Sequence, residues 1–399
     1  VHLGYLSADV AQTGKITLRR EITGLQRRGH RITLYLLRGD ADEVDLPADR
    51  IVSLTDGAAS GRLLDGVAAA MTRPDRGFRL AVQGMGDTLR GRDDLEETIG
   101  SPPAQVLTGL RFAKHLRRDG IEHLHVRAGA GAARIGAIAA DDAKLAMTLH
   151  IRTKDLRASG PRYVDRLGAA SMVAAPSHHH ARQLEELGLP KERIAVIRAA
   201  LPDLPQRLPP RRAHAGAPVI GAMGRLEERK GFRDLVAAFA LLHRELPEAC
   251  LEIVGEGPLR PDIENLVIEH GLQQAVRLKG ELYHEAARAW IESLDLFVLA
   301  SKTDSEGRHD GIPIALVEAM ARGVPVVATR LGALSELITD GVSGRLVTPG
   351  DPLSIAGAMA AILQSEDRAD SFRNEALAHL REEFSAEVNL GRLEALFQR

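Results

Sequence analysis

Short β-branched runs alternate with amphipathic helical stretches along most of this chain, and no other feature restricts the fold as much. In the first half "VHLGYL", "RITLYLL", "IEHLHV", "LAMTLHI" and "SMVAAPS" read as buried strands. In the second half "PVIGAMG", "ACLEIVG", "AVRLKG", "LDLFVLAS" and "VPVVAT" do the same. Helical patterns lie between them, such as "KITLRREITGLQRRG", whose Gly29 is placed to stop the helix. Parallel strands need a crossover connection, and these helices supply it, so the expected class is α/β with doubly wound sheets. The alternation breaks at "LPDLPQRLPPRRAHAGAP", where five prolines between 202 and 218 deny the chain helix and sheet. The division expected is therefore a first domain over 1–203, a Pro-rich linker over 204–217 and a second domain from 218. Two such domains facing each other form a cleft at the carboxyl ends of their strands, where α/β proteins bind ligands.

Composition narrows the class. A chain of 399 residues is too long for one ordinary core, and 44% apolar with 27% charged residues is the balance of a soluble globular protein. The single cysteine, Cys250, excludes a disulfide framework and points to a reducing, cytoplasmic setting; within "ACLEIVG" it reads as a core residue. No window approaches the ~18 uninterrupted apolar residues of a membrane span, and the opening "VHLGYLSADV" reads as strand and loop rather than a signal peptide. A net charge of −2 argues against a nucleic-acid partner. The charge is uneven, with a basic surplus up to Asp203 and an acidic one beyond it. "LTGLRFAKHLRRDG" accordingly reads either as a peripheral membrane contact or as an ordinary solvated helix face.

Several motifs carry potential chemistry. In "VIGAMGRLEERKGFRDLVAAF", Arg225 follows a strand and Lys230 stands where the next helix begins. A lysine is unfavourable at the positive end of a helix unless an anion shares the place, so the pair forms either a diphosphate site or solvated charge beside Glu227 and Glu228. In "VGEGPLRPDIENL", Gly255 and Gly257 permit close backbone approach, and Pro258 suits a first helical turn. "HVRAGAGAARIG" imitates a dinucleotide fingerprint through Gly129 and Gly131, but Arg134 occupies the sixth position and no acidic residue ends the next strand. The "HHH" run at 178–180 cannot converge on one ion, because consecutive helical residues point about 100° apart. His150 ends the strand "LAMTLHI" ahead of Asp155, either as a ligand contact or as a hydrogen-bonded rim histidine. In "HDGIPIALVEAMARGVPVVAT", Asp310 precedes a helix opened by Pro313, and Glu318 lies on its body. Both acids have bland readings, Asp310 complementing the helix dipole and Glu318 pairing with Arg322. Both would also serve a ligand rich in hydroxyls.

Taken together, "GRLEERKG", "VGEGPLR" and "DGIPIALVEAMARGVPVVAT" resemble, in order and spacing, the family 4 glycosyltransferases of the GT-B fold. The likeness is nearest to the colanic-acid and exopolysaccharide type and to similar natural-product enzymes; it is specific over 219–345 and diffuse before 120. It implies two Rossmann-like domains, the first binding the acceptor and the second a nucleotide-diphospho-sugar, with a C-terminal helix over 381–399 returning toward the first. The family's signature is Glu, seven residues, Glu, a spacing that Asp310 and Glu318 hold. The resemblance gives Glu318 the ribose hydroxyls and Asp310 the donor sugar. It gives Arg225 and Lys230 the diphosphate, and Gly255 and the stretch Gly311, Ile312, Pro313 and Ile314 a place beside the donor. His150 matches a histidine that contacts the donor sugar, and Gly14 a loop glycine that admits the diphosphate. Asp310 departs from the family's Glu by one methylene, about 1.5 Å of reach, with Glu306 as an alternative acid; "VIRAALPD" at 196–203 departs as well.

The expectation is a retaining, metal-independent glycosyltransferase with no cofactor. Its donor would be a UDP- or GDP-sugar and its acceptor a small molecule, glycan or lipid-linked hydroxyl or amine. The rivals are a nucleotide-sugar epimerase on the same architecture and a non-catalytic nucleotide-sugar-binding protein.

Overall fold

The computed structural model describes residues 1–8, 12–54, 102–127, 130–152, 156, 167–201, 204–208 and 216–398. Gly129, Asp155 and most of the proline-rich stretch lie outside the described residues. Contacts divide the chain into two compact units, Val1–Pro202 with Ala386–Arg399, and Asp203–Ser385.

The first unit is built on a seven-stranded sheet in the order β3-β2-β1-β4-β5-β6-β7, with every described pairing parallel. Its strands are β1 (His2–Ser7), β2 (Arg31–Leu36), β3 (Arg50–Ser53), β4 (His123–Arg127), β5 (Ala146–His150), β6 (Met172–Ala175) and β7 (Ile194–Val196). Described helices are α1 (Gln12–Arg27), α2 (Pro102–Arg118), α3 (Ala130–Ala143) and α4 (His178–Glu186). Alternation along the strands sends side chains to two cores, one on each face. Leu3 and Tyr5 of β1 join Leu18, Ile22 and Leu25 of α1 in one; Leu6 joins Phe112 of α2 and Ile135 of α3 in the other.

The second unit holds a six-stranded parallel sheet in the order β10-β9-β8-β11-β12-β13. Its strands are β8 (Val219–Met223), β9 (Cys250–Val254), β10 (Val276–Gly280), β11 (Leu296–Leu299), β12 (Val326–Thr329) and β13 (Arg345–Val347). The helices are α5 (Phe232–Glu245), α6 (Arg260–Glu269), α7 (His284–Glu292), α8 (Ile314–Ala321), α9 (Pro352–Leu363) and α10 (Glu366–Glu383). After a break at Phe384 and Ser385 the final helix, α11 (Ala386–Phe397), joins the first unit. There Leu393 and Leu396 enter the core beside α1, and Asn389 accepts the Arg198 N–H at 2.8 Å.

In each sheet the strand order reverses once, between β1 and β4 in the first unit and between β8 and β11 in the second. That is where open α/β sheets leave a crevice at their carboxyl ends. Three strands without a clear sequence signal, β3, β7 and β13, are edges of three or four residues, too short for a periodic pattern. One expectation is corrected. Cys250 is a half-buried residue at the first position of β9, with its thiol 3.8 Å from the Glu248 carbonyl, whereas Leu251 to Val254 are buried. The first residue of a strand lies at the sheet's rim, where an apolar run no longer guarantees burial.

Candidate active site

The second unit's crevice is assembled from the segments that leave β8, β9 and β11. After β8 the chain forms a 3-10 turn over Glu228–Lys230, followed by Gly231 at φ 66°. A Cβ on Gly231 would lie 1.8 Å from the Ala300 carbonyl oxygen, so only glycine lets this turn dock on the end of β11. The Lys302 N–H then donates to the Arg229 carbonyl at 2.8 Å and fixes the dock. Gly255 plays the matching part after β9. At φ 137° its would-be Cβ meets the Gly224 carbonyl oxygen at 2.0 Å, so the two loops lie against each other.

This packing sets Lys230 against Asp310. The Lys230 ammonium donates to Asp310 Oδ2 at 2.8 Å, the Ser301 hydroxyl to the same oxygen at 3.0 Å, and Arg229 Nε lies 3.5 Å from Oδ1. Both side chains of the Lys230–Asp310 pair are mostly buried, 14% and 12% exposed, which strengthens the attraction beyond that of a surface pair. Arg225 is exposed nearby in sequence, and no ion pair to it is formed among the described residues.

Pro313 is the N-cap of α8, and no side chain caps the helix. Asp310 therefore does not serve as its cap, because its carboxylate is turned to Lys230 and Ser301. Gly311, Ile312 and Pro313 are half-buried and Ile314 is exposed, so this N-terminus lies at the unit's surface. Glu318 sits half-buried one turn into α8, while Arg322 donates to the Glu318 carbonyl at 3.0 Å and approaches Glu292 at 3.5 Å. Glu306, the alternative acid, is exposed and pairs with Arg308 at 2.7 Å. That loop is closed by Asp304, whose carboxylate takes the N–H groups of Glu306 and Arg308. Burial raises the Asp304 pKa, but the Arg308 and backbone hydrogen bonds outweigh it and hold the carboxyl below its ordinary value.

His150 and Gly14 belong to the first unit. Gly14, expected in a loop, stands instead in the first turn of α1. His150 ends β5 beside Arg127 of β4 in register. Burial, aided by the charges of Arg127 and Arg152, lowers its pKa to about 3, so its ring is neutral at neutral pH. Its Nδ1 is buried without a hydrogen-bond partner among the described residues. The ring borders a cavity of about 220 Å³ that Arg20, Glu21, Arg127, Arg152 and Arg198 also line.

The structure thus brings Lys230, Asp310 and the Gly255 turn together and keeps Arg225, Gly311–Ile314 and Glu318 in the same unit. Sequence reasoning missed Arg229 and Ser301. The doubled cation "RK" and the serine leaving "LFVLAS" are the signals that could have found them.

Residues 217–365 match the family model described as glycosyl transferases group 1. The putative colanic acid biosynthesis glycosyltransferase WcaL of Escherichia coli K12 is 31% identical over 242 residues, 59% of this chain and 59% of that protein. The amylovoran biosynthesis glycosyltransferase AmsK of Erwinia amylovora is 30% identical over 219 residues, 54% of this chain and 53% of its own. The matched regions span under two thirds of these relatives. Among solved structures, Anabaena HepE in complex with UDP superposes with a TM-score of 0.72 at 18% identity, covering 100% of both chains. The full-length likeness and the two parallel sheets define a protein of the GT-B fold. Within that class, residues 217–365 are similar to the group 1 glycosyl transferases.

Proposed function

We propose that this chain is a retaining glycosyltransferase that moves a sugar from a nucleotide-diphospho-sugar, a UDP- or GDP-sugar, to a hydroxyl or amine acceptor. The observation that carries the reading is the Lys230–Asp310 pair at the strand-order reversal of a group 1 domain. Arg225 and Lys230 would hold the diphosphate, assisted by the uncapped N-terminus of α8. In the second unit Glu318 would accept from the ribose and Asp310 would orient the sugar; in the first, His150 would offer a sugar contact as a neutral ring. A departing diphosphate gathers negative charge, and cations fixed beside it stabilise that charge without a covalent nucleophile or a metal ion. At rest Asp310 neutralises Lys230; an arriving diphosphate competes for the ammonium and leaves the carboxylate for sugar hydroxyls. The first unit would take the acceptor.

The test is calorimetric. In Lys230→Ala, UDP or GDP should bind more weakly by about 1.5–3 kcal/mol, the worth of a charge-assisted contact, while the free nucleosides keep their affinity. Equal losses for both ligand types would remove Lys230 from the phosphate site.

A further inference from the structure

We propose that Glu21, His125 and His150 of the first unit form a binding site for a divalent transition metal, of which Zn²⁺ is the best-matched ion. One potential ligand atom from each residue lies within 4.8 Å of the others. His125 Nε2 faces Glu21 Oε1 at 4.0 Å, and its side chain is fully buried, with that of Glu21 9% exposed. Neither His125 Nε2 nor His150 Nδ1 has a hydrogen-bond partner among the described residues, although both are buried. Two buried imidazole nitrogens without partners, on histidines that cluster with a carboxylate, are costly, and a cation accepting their lone pairs removes that cost.

Outer contacts already orient the ligands. His125 Nδ1 is 2.8 Å from the Thr148 hydroxyl, which leaves Nε2 directed at Glu21. Tyr5 donates to Glu21 Oε1 at 3.0 Å, and Arg127 holds the other carboxylate oxygen. Two imidazoles and one carboxylate are a known zinc set, with ligand bonds of about 2.0–2.2 Å that ask the side chains to close by roughly half an ångström. Three protein ligands leave a fourth position open. The arginines that line the adjoining cavity weaken cation binding and favour an anion at that position. The metal would not take part in sugar transfer; by engaging His150 it would oppose it. Binding is read directly, so the inference stands apart from the proposed reaction.

The experiment uses the full chain without an affinity tag, stripped with a chelator and titrated with Zn²⁺ against a chromophoric indicator, then with Co²⁺. The expected result is one equivalent bound, visible Co²⁺ absorption of a four-coordinate site, no competition by Mg²⁺, and a rise in Tm. Glu21→Gln and His150→Ala should each weaken Zn²⁺ at least tenfold. His125→Gln should do the same, and its circular dichroism checks that this buried position still folds. His178→Asn, in the histidine run, should leave binding unchanged. Absence of Zn²⁺ binding, or binding lost in His178→Asn but kept in Glu21→Gln and His150→Ala, would overturn the assignment.

Discussion

Asp310 is one methylene shorter than the acid that the family resemblance leads one to expect, and the structure shows what the shorter arm reaches. Its Oδ2 takes both the Lys230 ammonium and the Ser301 hydroxyl. Asp310→Asn keeps the shape and removes the charge; stability should fall by about 1–3 kcal/mol, since a mostly buried ammonium loses its partner. Sugar transfer should fall while nucleoside-diphosphate affinity holds or tightens, because Lys230 is released. Asp310→Glu carries the extra length into a space already filled by Lys230 and Ser301, and should lower kcat or shift donor preference. Wild-type transfer in both variants would take Asp310 out of the site. The pair Asp310 and Glu318 was legible because an acid interrupting an apolar helix is conspicuous. Glu21 was not, since an acid on a polar helix face carries no mark. His125 had a signal that went unread: in "HLHVR" the period of two puts His123, His125 and Arg127 on one face of β4.

Elements place these residues, and two of them make quantitative tests. The 3-10 turn before α5 can hold Lys230 only because Gly231 touches the end of β11. Gly231→Ala should cost at least about 2 kcal/mol in urea unfolding, combining a left-handed backbone with a collision against fixed backbone. Gly341→Ala, at φ 75° with nothing within 4 Å, should cost only ~1 kcal/mol. The edge strand β3 depends on Asp119, which follows α2 and joins Tyr35 of β2 at 2.8 Å, Arg50 of β3 at 3.0 Å and Arg118 at 2.9 Å. Burial raises the Asp119 pKa, but hydrogen bonds from Arg118 and Tyr35 and the nearby guanidinium charges hold it below its ordinary 3.8. The unfolded chain therefore takes up this proton first on acidification. The contribution is full above pH 3.8 and is lost as pH falls through the folded value. Asp119→Asn should lower stability at pH 7 by about 1–3 kcal/mol and flatten that part of the acid limb. Such edges were the least legible part of the fold: "RIVS", "IAV" and "RLV" are strands because a neighbouring strand pairs with them, which no local pattern announces.

At the scale of the molecule, two parallel sheets of seven and six strands follow from an alternation visible along the sequence, since parallel strands and their crossover helices impose a long-range rhythm. No local pattern announces which unit α11 joins, because it folds with residues far from it in sequence; only the family resemblance implied its return. Its tie to the first unit rests on Leu393, Leu396 and Glu394, which pairs with Arg28 and His30. None of the described helices is long and apolar enough to cross a membrane. The most direct test of the proposed reaction is donor turnover. Purified chain is incubated with a panel of UDP- and GDP-sugars and candidate acceptors, with a chelator present, and release of nucleoside diphosphate and the anomeric configuration of the product are followed. Transfer with the donor's configuration kept, persisting with the chelator and reduced in Asp310→Asn, is the expected result. Consumption of no nucleotide sugar, or interconversion of the donor sugar with no nucleoside diphosphate released, would contradict it.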